Sequence, residues 1–166
     1  MQGVSWWPAY VGLGSNLDEP RSQVLDGLVR LGALPDTRLV ARSSLYRSPP
    51  MGPVPQPDFV NAAAGLLTRL DPASLLAELH GIEAAMGRKP AAQRWGPRRI
   101  DFDLLVHGIT RVNEPQLTLP HPGLAERAFV LQPLAEIAPE LQVPGVGRVR
   151  DLLAALGSTE CRRLDS

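Results

Sequence analysis

The order of apolar and polar positions along the chain predicts alternating strands and helices. An apolar run from Ala9 to Leu13 ends in a Gly-Ser-Asn turn, which is typical of a strand. Leucine and valine residues then recur at helical spacing behind Pro20, and Gly32 is the expected end of that helix. The same patterns predict further strands at 37–48, 59–70, 100–106 and 141–143, and further helices at 72–86, 123–138 and 149–156.

This order of elements predicts an α+β fold. Strand, helix, two strands, helix and strand form the ferredoxin-like βαββαβ pattern, an antiparallel sheet with helices on one face, here with C-terminal additions. The whole chain, 1–166, is expected to be one domain, because no repeat or linker divides it. Residues 1–8 are expected to be a flexible N-terminal extension. The segment from Ser48 to Asp58 holds five prolines in eleven residues and is expected to be an exposed loop.

The charge balance and the cysteine content disfavour several classes of protein. Lys plus Arg and Asp plus Glu both number 17, and this balance argues against a nucleic-acid or anionic-membrane partner. The single cysteine, Cys161, excludes an intrachain disulfide and disfavours a thiolate zinc site. No signal-peptide pattern and no run of about 18 apolar residues is present. We therefore expect a cytoplasmic, monomeric enzyme or binding domain.

The strand predicted at 100–106 carries two aspartates on one face. Side chains alternate along a strand, so Asp101 and Asp103 point one way while Phe102 and Leu104 point the other. Aspartate is depleted in strands, and two carboxylates roughly 7 Å apart repel each other unless a cation lies between them. Mg²⁺ prefers such carboxylates together with phosphate oxygens and water. Taken alone, the pair fits a magnesium site and a solvated edge-strand face equally well.

The segment before this strand is basic. Between Ala84 and Ile100 there is no acidic residue, and a Trp95-Gly96-Pro97 turn lies in its middle. The basic residues there are Arg88, Lys89, Arg94, Arg98 and Arg99. Guanidinium groups bind phosphate oxygens in a fork geometry, so a basic loop that leads into two carboxylates indicates a metal–polyphosphate site. A solvated basic loop is the alternative.

Other candidate motifs are less specific. Gly12 and Gly14 follow the first strand, but Leu17 occupies the third glycine position of a dinucleotide fingerprint, and no P-loop motif occurs. His121 lies between two prolines, so a ligand-binding role and an ordinary loop position both remain open. Phe59 and Phe129, judged as isolated aromatics, are expected in the core.

Several segments together resemble one family, the 6-hydroxymethyl-7,8-dihydropterin pyrophosphokinases of folate biosynthesis. The most specific match is Arg94-Trp95-Gly96-Pro97-Arg98 followed by the Asp101-Phe102-Asp103 strand. The others, in the order of the family, are 10–17, 46–52, 56–62, 82–83, 87–88, 119–122 and 126–129. The resemblance covers residues 9 to about 144.

The resemblance implies transfer of pyrophosphate from ATP to the hydroxymethyl oxygen of the pterin, with release of AMP. It implies two Mg²⁺ ions on Asp101 and Asp103. The implied catalytic residues are these two aspartates with Arg88 and Arg98, and the implied ATP contacts are Glu83, Arg88, Arg98, His121 and Arg127. The implied pterin contacts are Ser48, Pro49, Met51, Phe59, Asn61, Trp95 and Phe129, and the pterin ring would stack between the two phenylalanines.

The chain departs from the family pattern at a few positions, and two other classes of protein are alternatives. Phe59 replaces a common tyrosine, His80 replaces a glutamine of some members, and Pro90 and Ala91 replace basic residues. A nucleotide-sugar transferase with a D-x-D motif would need a larger nucleotide domain. A ferredoxin-like RNA-binding module would need paired aromatics on central strands and a net basic charge.

Overall fold

The computed structural model describes residues 5–87 and 99–164. Within these residues, six strands form one antiparallel sheet. They are β1 (Trp7–Ser15), β2 (Thr37–Arg42), β3 (Tyr46–Ser48), β4 (Phe59–Thr68), β5 (Asp101–His107) and, after four further short strands, β10 (Arg162–Arg163). The helices are α1 (Pro20–Gly32), α2 (Pro72–Ala85), α3 (Ala128–Ile137) and α4 (Val149–Leu156). The predicted mixture of an antiparallel sheet and helices is confirmed.

The strand order is β10-β3-β4-β1-β5, and β2 also pairs with β4. The sequence predicted one strand from 37 to 48, whereas the structure has β2 and β3 in succession along the same edge of β4. Ser43 explains the interruption, because its side-chain oxygen accepts the backbone N–H of Ala63 at 2.8 Å. A hydroxyl therefore replaces a backbone acceptor where the two strands separate.

Helices cover both faces of the sheet. On one face, α1 and α2 pack against alternate residues of the central strands, such as Val11 and Leu104. On the other face, Ala63 and Leu105 pack against residues of α3, and Val149 of α4 belongs to the same cluster. The expectation of helices on one face is therefore correct for α1 and α2 and incomplete for the C-terminal additions, which bury the second face.

Helix α2 begins as its sequence predicts. The Asp71 carboxylate accepts the backbone N–H of Ser74 at 2.7 Å, and Pro72 occupies the first turn, where its missing N–H costs nothing. Its buried residues include Leu75 and Leu79 at helical spacing and, in the same stripe, Glu83. A carboxylate on the buried face of a helix is unusual.

The C-terminal third contains elements that the sequence patterns missed. The predicted helix at 123–138 is a 3-10 turn, Leu124–Glu126, followed after Arg127 by α3, which continues through Pro133 without a break. The missed short strands are β6 (Val112–Glu114), β7 (Leu117–Leu119) and β9 (Gly147–Arg148), in addition to β10, whereas β8 (Gln142–Val143) lies within the strand predicted at 141–143. Helix α4 has the predicted bounds.

The first residues that the structure describes belong partly to the sheet. Strand β1 begins at Trp7, so the last two residues of the predicted extension, 1–8, pair with β4. The Trp6 ring lies under the guanidinium groups of Arg38 and Arg69, 4.7 and 5.6 Å from the ring centre. None of the helices in the described part of the chain is both long and apolar enough to cross a membrane.

Candidate active site

The two aspartates lie at the N-terminal end of β5, beside the glycines of β1. Asp101 lies opposite Gly14 and Asp103 opposite Gly12, whereas Phe102 is buried on the other face. The predicted alternation of this strand is therefore confirmed. Because the two facing residues are glycines, β1 itself places no side chain beside the carboxylates. Asp103 keeps 30% of its side chain exposed, enough for a ligand to approach.

His121 lies next to this pair although it is 18 residues further along the chain. Its backbone N–H donates to the carbonyl of Leu105 at 2.9 Å, where the register between β1 and β5 shifts. A bulge frees a carbonyl in this way and is common beside active sites. The Nε2 atom of His121 then lies 3.7 Å from the Asp103 carboxylate, close but beyond hydrogen-bond length.

The protonation state of His121 follows from its contacts. Burial lowers its pKa, the nearby Arg127 guanidinium lowers the pKa further, and Asp101 opposes both effects. The Nδ1 atom accepts the backbone N–H of Gly123 at 3.1 Å, so it carries no proton. The imidazole is therefore neutral near pH 7, with its proton on Nε2, facing the aspartates.

Arg127 adds a cation to the same region. A Cβ atom on Gly123 would lie 2.5 Å from the Arg127 Nε atom, so a larger residue at 123 would displace the flexible Arg127 side chain. The guanidinium also lies 5.9 Å from the centre of the Phe129 ring, within the range of a cation–π contact. Arg127 thus connects His121 with the aromatic residue predicted to bind the pterin.

A cavity of about 270 Å³ lies against Arg127 and Phe129. Its walls are Ser48, Pro49, Pro50, Met51, Glu126, Arg127, Ala128, Phe129, Glu160 and Cys161. The structure therefore brings together four of the predicted pterin residues, from the proline-rich segment and from α3. Glu160 and Cys161 were not predicted, because they lie beyond the end of the resemblance and in no motif. Burial raises the pKa of the Cys161 thiol to about 11, so this thiol is neutral.

Asn61 and Phe59 lie on the neighbouring strand. Asn61 is 3% exposed, and its amide Nδ2 donates to the Ser48 side-chain oxygen at 2.7 Å. Phe59 faces Ser48 across the β3–β4 pair and is half-buried rather than in the core. A Cβ atom on Gly14 would lie 3.1 Å from Asn61 Oδ1 and 3.7 Å from Phe59. Through Ser48 and Gly14, these two residues connect the cavity with the aspartate pair.

Of the remaining predicted residues, the structure describes only Glu83. Glu83 is buried, and its Oε2 atom accepts the backbone N–H of Phe102 at 2.8 Å. Arg88, Trp95 and Arg98 lie outside the described residues. Arg99, the first residue after that gap, binds the Asp18 carboxylate through Nε at 2.9 Å and Nη2 at 2.7 Å.

The donor set around the aspartates suits a hard cation shared with phosphate. Within residues 5–87 and 99–164, no three His, Cys, Asp or Glu residues form a cluster that could hold a metal ion. Two oxygen donors without further protein ligands are what magnesium uses when phosphates and water complete its coordination. Carboxylates, a neutral imidazole and a guanidinium beside a cavity with an aromatic wall are groups that suit a phosphorylated co-substrate and a flat heterocycle.

Comparison with known proteins identifies the class and then the family. Residues 10–139 match the family described as 7,8-dihydro-6-hydroxymethylpterin-pyrophosphokinase, or HPPK. The 2-amino-4-hydroxy-6-hydroxymethyldihydropteridine pyrophosphokinase of Pseudomonas aeruginosa is 49% identical over 146 residues, covering 88% of this chain and 90% of the relative. The Methylorubrum extorquens protein of the same name is 45% identical over 157 residues, covering 95% of this chain and 98% of the relative. The chain is a pyrophosphokinase.

The chain belongs to the HPPK family, which transfers a pyrophosphoryl group from ATP to hydroxymethyldihydropterin in folate biosynthesis. The resemblance inferred from the sequence motifs is therefore confirmed. Among solved structures, wild-type Plasmodium falciparum HPPK-DHPS with pteroate matches with a TM-score of 0.72 at 16% identity. That match covers 93% of this chain and 43% of the Plasmodium chain, so this chain spans less than half of it. At this identity, the match supports the fold alone.

Proposed function

We propose that Asp101 and Asp103 hold two Mg²⁺ ions for transfer of the pyrophosphoryl group from ATP to 6-hydroxymethyl-7,8-dihydropterin, giving AMP and the pterin diphosphate. The proximity of four side chains to one cavity is the main support for this site. The aspartate pair, His121 and Arg127 converge at one end of β5, beside a cavity lined by Ser48 and Phe129. Magnesium, when bound, would neutralise phosphate charge and lower the pKa of the attacking hydroxyl.

The basic residues and His121 would bind the triphosphate of ATP. Phosphoryl transfer depends on alignment and charge neutralisation more than on covalent help from the protein. The Arg127 guanidinium can bind phosphate oxygens, and the neutral His121 can donate its Nε2 proton to one. Arg88 and Arg98 stay predicted phosphate contacts.

The cavity would hold the pterin. Phe129 and Phe59 offer aromatic faces, and the buried Asn61 amide offers a carbonyl oxygen and N–H groups to the edge of the heterocycle. Ser48 keeps that amide in place through the 2.7 Å hydrogen bond. Pro49 and Met51 would complete the wall beside Ser48, and Trp95 stays a predicted contact.

We also propose that the sheet has the ferredoxin-like βαββαβ topology. Counted as one interrupted strand, β2 and β3 together give the order β2/β3, β4, β1, β5 that a ferredoxin-like βαββαβ sheet requires, which supports that assignment. The zero net charge supports a protein with small-molecule substrates and no nucleic-acid partner. A cytoplasmic monomer in a single domain stays the expectation.

The test is AMP formation from ATP and the hydroxymethyl pterin. Asp101→Asn and Asp103→Asn should each reduce kcat by more than about a hundredfold, the order lost with one preorganised electrostatic group. Both should raise the Mg²⁺ concentration needed for half-maximal rate. Asp26→Asn is the matched control, because Asp26 is an exposed residue of α1 paired with Arg30. Wild-type rate and magnesium dependence in both site variants would contradict the proposal.

A further inference from the structure

Glu83 is a buried acid below the aspartate pair. It is 5% exposed, and it is the one Asp or Glu that is buried in the part of the chain that the structure describes. A carboxylate loses strong hydration on burial, so its position requires a compensating interaction. Its Oε2 atom accepts the Phe102 backbone N–H at 2.8 Å, a hydrogen bond within the interior.

The hydrogen-bonded residue is the one between the two aspartates. Along an antiparallel strand, backbone N–H groups point alternately toward and away from the neighbouring strand. The Phe102 N–H points to Glu83, so it points away from β1, whereas Asp101 and Asp103 pair with Gly14 and Gly12 of β1. Among the described strands, β5 has β1 as its sole partner at these residues. The open edge of β5 is therefore held by α2 through Glu83.

We propose that Glu83 is a positioning residue, which fixes β5 at Phe102 so that both aspartate carboxylates keep their spacing and direction. This proposal rests on the function proposed above for Asp101 and Asp103. It differs from a direct contact of Glu83 with ATP, the role that the family resemblance implies. The two roles predict different changes: positioning couples kcat and the magnesium half-saturation to the protection of the Phe102 amide, whereas a direct contact with ATP raises the KM for ATP.

Two substitutions separate the acceptor from the charge. Glu83→Gln keeps the shape and a carbonyl oxygen that can accept the Phe102 N–H, but removes the charge. Glu83→Leu fills most of the space and removes both. Glu78→Gln is the matched control on the same helix, because Glu78 is not among the buried residues of α2.

The experiment measures the Phe102 contact and the reaction independently. Hydrogen exchange of the Phe102 amide is followed by NMR in the ligand-free protein, and kcat, the two KM values and the magnesium half-saturation are measured in the AMP assay. In Glu83→Leu, we expect Phe102 protection to fall about tenfold or more, as loss of one buried hydrogen bond predicts. We expect a similar fall in kcat and a higher magnesium half-saturation, with pterin KM unchanged. Glu83→Gln should keep protection and kcat within about threefold of wild type.

The proposal requires activity to follow Phe102 protection across the variants. A variant that keeps protection but loses kcat would show that the charge itself acts, and the proposal would be overturned. A variant that loses protection and keeps wild-type kcat would overturn it equally. If Glu83→Leu does not fold, Glu83→Gln alone still provides this comparison. Failure of the aspartate assignment is seen separately, as wild-type activity in Asp101→Asn, and leaves the exchange result interpretable.

Discussion

The sharpest prediction concerns Gly14, which faces Asp101 across the β1–β5 pair. In Gly14→Ala, the added Cβ would lie 3.1 Å from Asn61 Oδ1, closer than an ordinary carbon–oxygen contact. Asn61 is 3% exposed and tied to Ser48, so it has little space in which to move. We expect the Asn61 amide to shift by a few tenths of an ångström (about the excess overlap), and the pterin affinity to fall.

The size of the effect follows from the hydrogen bond at risk. Loss or lengthening of the 2.7 Å bond from Asn61 to Ser48 costs about 0.5–1.5 kcal/mol, and misalignment of the amide toward the ligand costs a similar amount. Only the misalignment changes the pterin affinity, because the Asn61–Ser48 bond is weakened in the free and the bound protein alike; about 0.5–1.5 kcal/mol corresponds to a Kd about 2–13-fold higher. Global stability should change little, because alanine in a strand gains roughly 0.5–1 kcal/mol over glycine and offsets part of the strain.

Gly12→Ala is the matched control, two residues away on the same face of β1. The three atoms nearest to its Cβ would belong to the Leu105 side chain, at 3.6–3.9 Å, which is ordinary contact. Isothermal titration of the pterin into each variant gives the Kd, and thermal melts give the stability. We expect a Kd within about twofold of wild type for Gly12→Ala. Wild-type affinity in Gly14→Ala, or an equal loss in both variants, would refute the steric reasoning.

Three further predictions concern pH and stability. Burial lowers the pKa of His121, so its contribution to stability is present above about pH 6.5 and is lost as the pH falls. In His121→Gln, the Tm should therefore fall less between about pH 7.5 and 5.5 than in the wild type, and an equal fall in both proteins would contradict this. Burial raises the pKa of Glu136, but hydrogen bonds that include one from Tyr46 outweigh burial and lower it. Tyr46→Phe removes that 2.6 Å bond and should lower the free energy of unfolding by about 1–2 kcal/mol at pH 7, measured in denaturant melts. The difference from wild type should become smaller below about pH 4.5, where Glu136 is protonated in the unfolded chain; a difference that does not change with pH would exclude a contribution from the Glu136 charge. Leu79→Ala, at 0% exposure, should cost about 2–5 kcal/mol, against less than about 1 kcal/mol for the 42%-exposed Leu25→Ala; equal costs would mean that α2 is not packed as described.

Local patterns were sufficient for the elements whose signals lie within a few residues. Helix α4 has the predicted bounds, and α2 begins at Pro72 behind the predicted Asp71 cap. The alternation around Asp101 and Asp103 is also as predicted, because a strand with one buried face admits only one register. The break between β2 and β3 was missed, since it depends on Ser43 reaching a backbone group of another strand.

In the candidate site, too, the sequence identified individual residues, and tertiary contacts brought them together. Motifs in the sequence identified Asp101, Asp103 and His121 as candidates, and the family resemblance assigned them to one site. Their proximity depends on the β5 carbonyl that accepts the His121 backbone N–H, a contact between segments far apart in sequence. Phe59 and Phe129, as isolated aromatics, were expected in the core, and the structure places both at half-buried positions.

The sequence by itself determined the paired carboxylates on one strand face, the helical stripe of α2 and the family of the chain. These features depend on periodicity and local chemistry, which the order of residues specifies directly. Only the tertiary structure decided that Glu83 within that stripe reaches Phe102 between the aspartates, and that Gly14 leaves room for Asn61. Both are distances between segments brought together by sheet pairing and helix packing, and no local pattern encodes such distances.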